Sequence, residues 1–246
     1  MEELADNQNI TIEQQKELFV ATIVHDLKNP LNAQIIALEQ LYKEKFGNIT
    51  PLQKDIINNI ISSSKFMREM LSSLLSIYKF ENGSVKLNKT PVNIDKLIKI
   101  CIKDVMPFAE ESCITIEFIN NTQCNILFCD ENYIRRVISN MLSNIILYSY
   151  KNAKSFVLLS EDNLFTILSF KSTGLPISEN LKAHIFDKYT SGNSHKSGTG
   201  LGLYFCKKVI EAHDGIISLI SHKSNIEFCI KFPKKQVKNN IIKFGD

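Results

Sequence analysis

The chain has 246 residues, 29 Lys+Arg against 26 Asp+Glu for a formal net charge of +3, and 44% apolar residues. That balance excludes a strongly basic nucleic-acid binder and a solvating disordered chain, leaving a globular protein of one or two domains. Its nine glycines are unevenly placed, with only Gly47 and Gly83 before residue 174 and four between Gly192 and Gly202. The backbone that needs most freedom therefore lies near the C-terminal end.

No apolar run exceeds four residues, far short of the ~20 that cross a bilayer. The acidic, polar start MEELADNQNI lacks the basic-then-apolar order of a signal peptide. A cytoplasmic chain without membrane insertion and without a nucleic-acid partner is expected. The six cysteines show no C-x-x-C pair and no His at ligand spacing, so they read as reduced, mostly buried thiols.

From about Thr11 to Phe80 apolar residues recur at helical spacing. Val20, Val24, Leu27, Leu31, Ile35, Leu38 and Leu41 form one stripe; Ile56, Ile60, Met67, Met70, Leu74 and Ile77 form another. Gly47-Asn48 supplies a helix stop, and Thr50-Pro51-Leu52-Gln53 a capping box with Pro at the first helical position. This predicts a helical hairpin. Two helices with stripes this wide cannot enclose a core alone, so pairing with a second copy into a four-helix bundle is expected.

After the turn at Asn82-Gly83-Ser84 the period changes. A helical pattern over 94–111 is followed by strand-like runs at 114–119, 125–129, 155–160, 164–170, 215–221 and 226–232, with helical stretches at 130–152 and 200–213. Strands with interleaved helices point to an α/β sandwich of about 150 residues. The basic tail after residue 233 reads as a frayed end.

The first helix carries His25-Asp26-Leu27-Lys28-Asn29-Pro30. His25 sits one residue past Val24 of the apolar stripe, which turns its ring toward solvent, and Asn29 lies one turn on. Pro30 removes a helical hydrogen bond and is expected to bend the axis. A nucleophilic histidine must lose a proton from one nitrogen while the other attacks, and a neighbouring carboxylate such as Asp26 can take it. An amide at Asn29 can position a water for the reverse hydrolysis.

The segment FVATIVHDLKNPLNAQIIALEQL resembles the phosphoacceptor helix of a sensor histidine kinase of the dimerisation and His-phosphotransfer type. RRVISNMLSNIILYS (135–149), IFDKY (185–189) and SGTGLGL (197–203) are similar, in the same order, to that family's Asn box, Phe box and second glycine box. The resemblance implies an α+β multidomain chain: residues 1–11 as an N-terminal extension, 12–82 as a dimeric phosphoacceptor hairpin, 83–233 as a Bergerat-type ATP-binding sandwich of the GHKL class, and 234–246 as the tail. It implies ATP and magnesium, with Asn144 as the metal ligand and Asn140 its supporting neighbour. Two Asn four apart share a helix face, where an amide oxygen can meet a magnesium ion. Tyr148 stands where an aromatic packs on the nucleotide. Gly198, Thr199, Gly200, Leu201 and Gly202 precede a helix, so their N–H groups can approach phosphate, and Lys196 lies in a lid-like stretch with His195.

The first glycine box of this family reads Asp-x-Gly-x-Gly, whereas the aligned stretch is Ser172-Thr173-Gly174-Leu175-Pro176. The Asp that receives the adenine amino group is a Ser, and the second Gly is a Pro. Leu147 replaces a common Lys of the Asn box, and Lys151 can substitute only if the helix extends that far. Losing one hydrogen bond and one cation predicts nucleotide binding weaker by ~2–4 kcal/mol, roughly 30- to 1,000-fold. The function implied is autophosphorylation of His25 from ATP, then transfer to the receiver aspartate of a response regulator, with input from an upstream sensory protein. A relay or regulator phosphatase with a decayed nucleotide site, and a non-catalytic docking module, are the alternatives.

Overall fold

A computed structural model describes residues 2–190 and 200–234. The chain forms two compact units, the first built on the sequence up to Lys86 and the second on most of the sequence from Leu87 onward.

In the first unit α1 (Glu2–Tyr42) and α2 (Pro51–Glu81) pack as a hairpin. Helix α1 starts ahead of the apolar stripe, and it ends at Tyr42 rather than at Gly47-Asn48. The left-handed backbone needed to leave the helix is taken first by Glu44 (φ 57°), ahead of Gly47. Pro30 lies inside α1, which continues across it. Helix α2 begins as the sequence requires: Thr50 Oγ1 accepts from Gln53 N at 3.3 Å, and Gln53 Oε1 accepts from Thr50 N at 2.8 Å. Only part of each stripe is buried within the hairpin. Val24, Leu31, Ile35, Ile61 and Ile77 form its seam, whereas Leu27, Leu41, Ile56, Ile60, Met67 and Leu74 remain exposed.

The second unit opens with β1 (Thr90–Asn93) and α3 (Ile94–Glu111), then β2 (Thr115–Asn120), β3 (Ile126–Cys129) and α4 (Glu131–Tyr148). It continues through β4 (Lys154–Glu161), β5 (Phe165–Thr173), α5 (Glu179–His184), α6 (Gly202–Ala212), β6 (Ile216–His222) and β7 (Asn225–Pro233). Five strands form one sheet in the order β2-β4-β5-β7-β6, with β2 parallel to β4 and the other pairs antiparallel. β1 pairs with β3 in a separate two-stranded sheet; neither β1 nor α5 is legible in the sequence pattern.

Register places Val157 opposite Phe170, Leu159 opposite Leu168, and Leu168 opposite Ile230, all buried on one face. The helices' apolar stripes complete that core: Ile98 from α3, Ile138 and Leu142 from α4, Val209 from α6. Each such side chain contributes about 1.5–3 kcal/mol by leaving water.

Helix α4 is fixed at both ends. Asp130 caps it by accepting from the Asn132 and Tyr133 amides, while its second oxygen accepts from Asn88 N at 3.0 Å. His213, buried at the end of α6, donates from Nδ1 to Val209 O at 2.7 Å and accepts at Nε2 from Asp130 N at 3.0 Å. Burial holds its pKa below the ordinary value, which keeps the ring neutral and Nε2 free to accept. At the other end α4 stops at Tyr148, because Ser149 is extended (φ −70°, ψ 155°) and bridges to Gly174. Lys151 therefore lies beyond the helix and does not extend its polar face.

Candidate active site

His25 follows directly on Val24, which is 2% exposed in the hairpin seam, and so its own side chain is 71% exposed. Asp26 Oδ1 lies 3.2 Å from His25 Nδ1. A carboxylate accepts, so Nδ1 carries the hydrogen and Nε2 keeps its lone pair. Asn29 Nδ2 stands 3.4 Å from Nδ1 and 3.5 Å from Nε2, near the edge of a strong hydrogen bond. The amide is thus beside the ring, at the long end of hydrogen-bond distance from both nitrogens. Pro30, having no N–H, also removes the helical donor that would meet the Asp26 carbonyl.

The second constellation lies in the other unit. Asn140, Asn144 and Tyr148 recur every four residues along α4 and are all partly exposed, so they line one face of it. Asn140 Nδ2 donates to Cys206 Sγ of α6 at 3.7 Å. Strand β5 delivers Ser172 opposite Ile226, on the same strand face as the buried Leu168 and Phe170. Gly174 comes two residues later, its N–H donating to Ser224 O at 2.9 Å. A Cβ on Gly174 would lie 2.3 Å from the Tyr148 carbonyl oxygen, so only glycine lets β5 close on the end of α4. Pro176 is exposed.

Gly200 adopts φ 65° and faces the Tyr189 backbone, whose N–H donates to Gly200 O at 3.1 Å. A Cβ there would come within 2.4 Å of Tyr189 C. Leu201 is buried, and Gly202 opens α6, so the helix begins with backbone N–H groups ahead of its first turn. Phe186 of the IFDKY segment packs edge-on against Phe228, centroids 6.2 Å apart. Lys196, Gly198 and Thr199, with His195, lie outside the described residues, as does the basic tail from residue 235 on.

The short-range parts of the site are legible in the sequence and the long-range ones are not. The His25–Asp26 pair is adjacent in the chain; the Ser149–Gly174 bridge, the Asn140–Cys206 contact and the Asp130–His213 bond join distant segments and leave no local signature.

Among the described residues no helix is long and apolar enough to cross a membrane. Residues 15–83 match the His Kinase A (phospho-acceptor) domain, and residues 129–236 match the histidine kinase-, DNA gyrase B- and HSP90-like ATPase family. The chain is similar to the circadian input-output histidine kinase CikA of Synechococcus elongatus, 26% identical over 82% of this chain and 28% of that protein. It is also similar to the sensor histidine kinase YvrG of Bacillus subtilis, 25% identical over 87% of this chain and 37% of that protein. It thus spans roughly a third of the length of these relatives. Among solved structures, full-length ShkA in complex with AMPPNP shares the fold with a TM-score of 0.71 at 19% identity, covering 87% of this chain and 45% of that one.

Proposed function

We propose that this chain, which belongs to the histidine kinase family by its phospho-acceptor and ATPase regions, transfers the γ-phosphoryl group of ATP to His25 and then to an aspartate of a response-regulator receiver domain. The observation that carries this reading is the 3.2 Å contact between His25 Nδ1 and Asp26 on an exposed helix shoulder. With Nδ1–H directed at the carboxylate, Nε2 attacks the γ-phosphorus. The N–P bond forms as the bond to the bridging oxygen breaks, ADP leaves with that electron pair, and the surplus ring proton departs from Nδ1 through Asp26. Asn29, beside the same ring, positions water for the reverse hydrolysis.

We assign nucleotide binding to Asn140, Asn144 and Tyr148 of α4, Ser172 and Gly174 at the end of β5, and Gly200, Leu201 and Gly202 at the start of α6. Lys196, Gly198 and Thr199 join them by resemblance. The donor types fit the ligand: amide oxygens suit a hard divalent cation, and the first N–H groups of a helix suit phosphate. Asn144 would hold magnesium, which would supply charge neutralisation for the phosphoryl transfer. We take residues 12–82 as the dimerisation and phosphoacceptor domain and 83–233 as the ATP-binding domain, flanked by 1–11 and 234–246. The exposed apolar residues Leu27, Ile56, Ile60, Met67 and Leu74 support a homodimer through the hairpin. A cytoplasmic protein driven by an upstream sensory partner completes the reading.

The test is labelling of the purified chain with radiolabelled ATP and magnesium. The expected result is an acid-labile label on His25, absent from His25→Gln, that a receiver domain can remove. Absence of label together with absence of nucleotide binding by calorimetry would overturn the kinase reading.

A further inference from the structure

Cys206 lies on α6, four residues after Gly202, and is fully buried. Its Sγ lies 4.0 Å from the Val137 carbonyl and 3.7 Å from Asn140 Nδ2, so it meets two groups on successive turns of α4. Burial pushes the thiol up to about 12, so it stays S–H at neutral pH. The single thiol hydrogen can serve one acceptor. The Val137 carbonyl can only accept and therefore takes it, which leaves sulfur lone pairs for Asn140. A side-chain amide can otherwise turn over and exchange its oxygen and NH₂ ends; an acceptor sulfur is met by the NH₂ end alone.

We propose that Cys206 is a positioning residue for Asn140: the thiol, oriented by the Val137 carbonyl, fixes the amide so that its oxygen is presented away from α6 on the polar face shared with Asn144. Each contact is weak; the one to Val137 is buried and the one to Asn140 partly so, and a low local dielectric strengthens both. The thiol thereby ties the turn that follows the second glycine box to the Asn box, and the orientation of one amide depends on the seating of α6. This inference rests on the nucleotide-binding assignment above, which it deepens by naming what holds one of the assigned groups.

Two variants separate positioning from packing. Cys206→Val keeps the volume and deletes donor and acceptor; Cys206→Ser keeps both in a smaller group. We expect Cys206→Val to weaken MgATP binding, measured by calorimetry, by about three- to tenfold, and Cys206→Ser to restore most of it. In an Asn140→Ala background Cys206→Val should have no further effect, because the group it orients is gone. An equal loss in that background, or no loss in the wild type, would overturn the proposal. The side-chain NH₂ resonances of Asn140 give a readout independent of nucleotide: they should shift in Cys206→Val. If wild-type chain binds no nucleotide yet those resonances shift, the nucleotide assignment fails and the Cys206–Asn140 contact stands; unshifted resonances overturn the contact itself.

Discussion

Gly174 presents its bare Cα to the main-chain carbonyl of Tyr148, so closely that a Cβ would lie 2.3 Å from the oxygen. The contact joins the end of β5, which carries Ser172, to the end of α4, which carries Tyr148 and Asn144. Backbone cannot move aside as a flexible side chain can. Gly174→Ala should therefore destabilise the protein by about 1–3 kcal/mol, the range of overpacked sites, and lower its MgATP affinity. Denaturant unfolding with calorimetry checks both; an unchanged midpoint would mean that β5 can retreat from α4 without consequence.

Asp26→Asn retains an acceptor near His25 Nδ1 but removes the base. Autophosphorylation should fall by about 10²- to 10⁴-fold while MgATP binding, assigned to other residues, stays the same. Initial labelling rates at saturating nucleotide measure the first and calorimetry the second. A rate within twofold of wild type would assign the proton to another acceptor.

His213 makes the protein sensitive to acid. Burial lowers its pKa in the folded state below the ordinary 6.5, against the opposing hydrogen bond to the Val209 carbonyl and the charges of Asp130 and Asp214, with Lys89 reinforcing the shift. The unfolded chain then binds the proton more readily, so stability rises with pH through this interval. The contribution is fully present above about 6.5 and is lost as pH falls from there through the folded value, when Nε2 can no longer accept from Asp130 N. Melting temperature should drop between pH 7 and pH 5, and His213→Gln should be less stable at neutral pH yet show a shallower slope. Parallel slopes for the two proteins would remove His213 from the account.

Ser172 is a neutral hydroxyl where the resemblance leads one to expect a carboxylate. If it faces the base, Ser172→Asp should tighten ATP binding by about five- to tenfold, since a charge-assisted hydrogen bond is roughly twice as strong as a neutral one. Competition between ATP and GTP should shift toward ATP. An affinity that does not change would place Ser172 away from the base.

The exposed stripe of the hairpin predicts its assembly. Ile60 and Met67 are 45% and 46% exposed on α2, and a pair of buried carboxylates at a bundle interface is strongly unfavourable. Light scattering at micromolar concentration should give twice the chain mass for wild type and the single mass for the Ile60→Glu, Met67→Glu double variant. A monomeric wild type would contradict the four-helix arrangement.

Much of the fold is legible because its signals are local. The Thr50–Gln53 capping box starts α2 where expected, and the apolar spacing of 94–111 coincides with α3. Each of the strand-like runs over 114–232 is a strand, since alternation along a run reflects one buried face. β1 carries no such signal because it has only four residues, one of them Pro91, and exists through its register with β3. The end of α1 differs from the expected stop because glycine is the usual signal, whereas Glu44 takes the left-handed backbone instead. In the site, His25, Asp26 and Asn29 share a helix and can be read together. Cys206 lies 66 residues from Asn140, and only the packing of α6 on α4 makes them neighbours.

The parallel pairing of β2 with β4 has a consequence for the order of assembly. Parallel neighbours need a crossover, and here β3 and α4 are the crossover, so the whole stretch from Asn120 to Lys154 must be in place before that pair can close. Such distant pairings form slowly, whereas the α1–α2 hairpin needs only contacts across one short turn. Synthesis delivers the hairpin first. A newborn chain thus completes the helix that carries His25 before it completes the sheet that carries Ser172 and Gly174, so under the proposed function the acceptor helix folds ahead of the nucleotide residues.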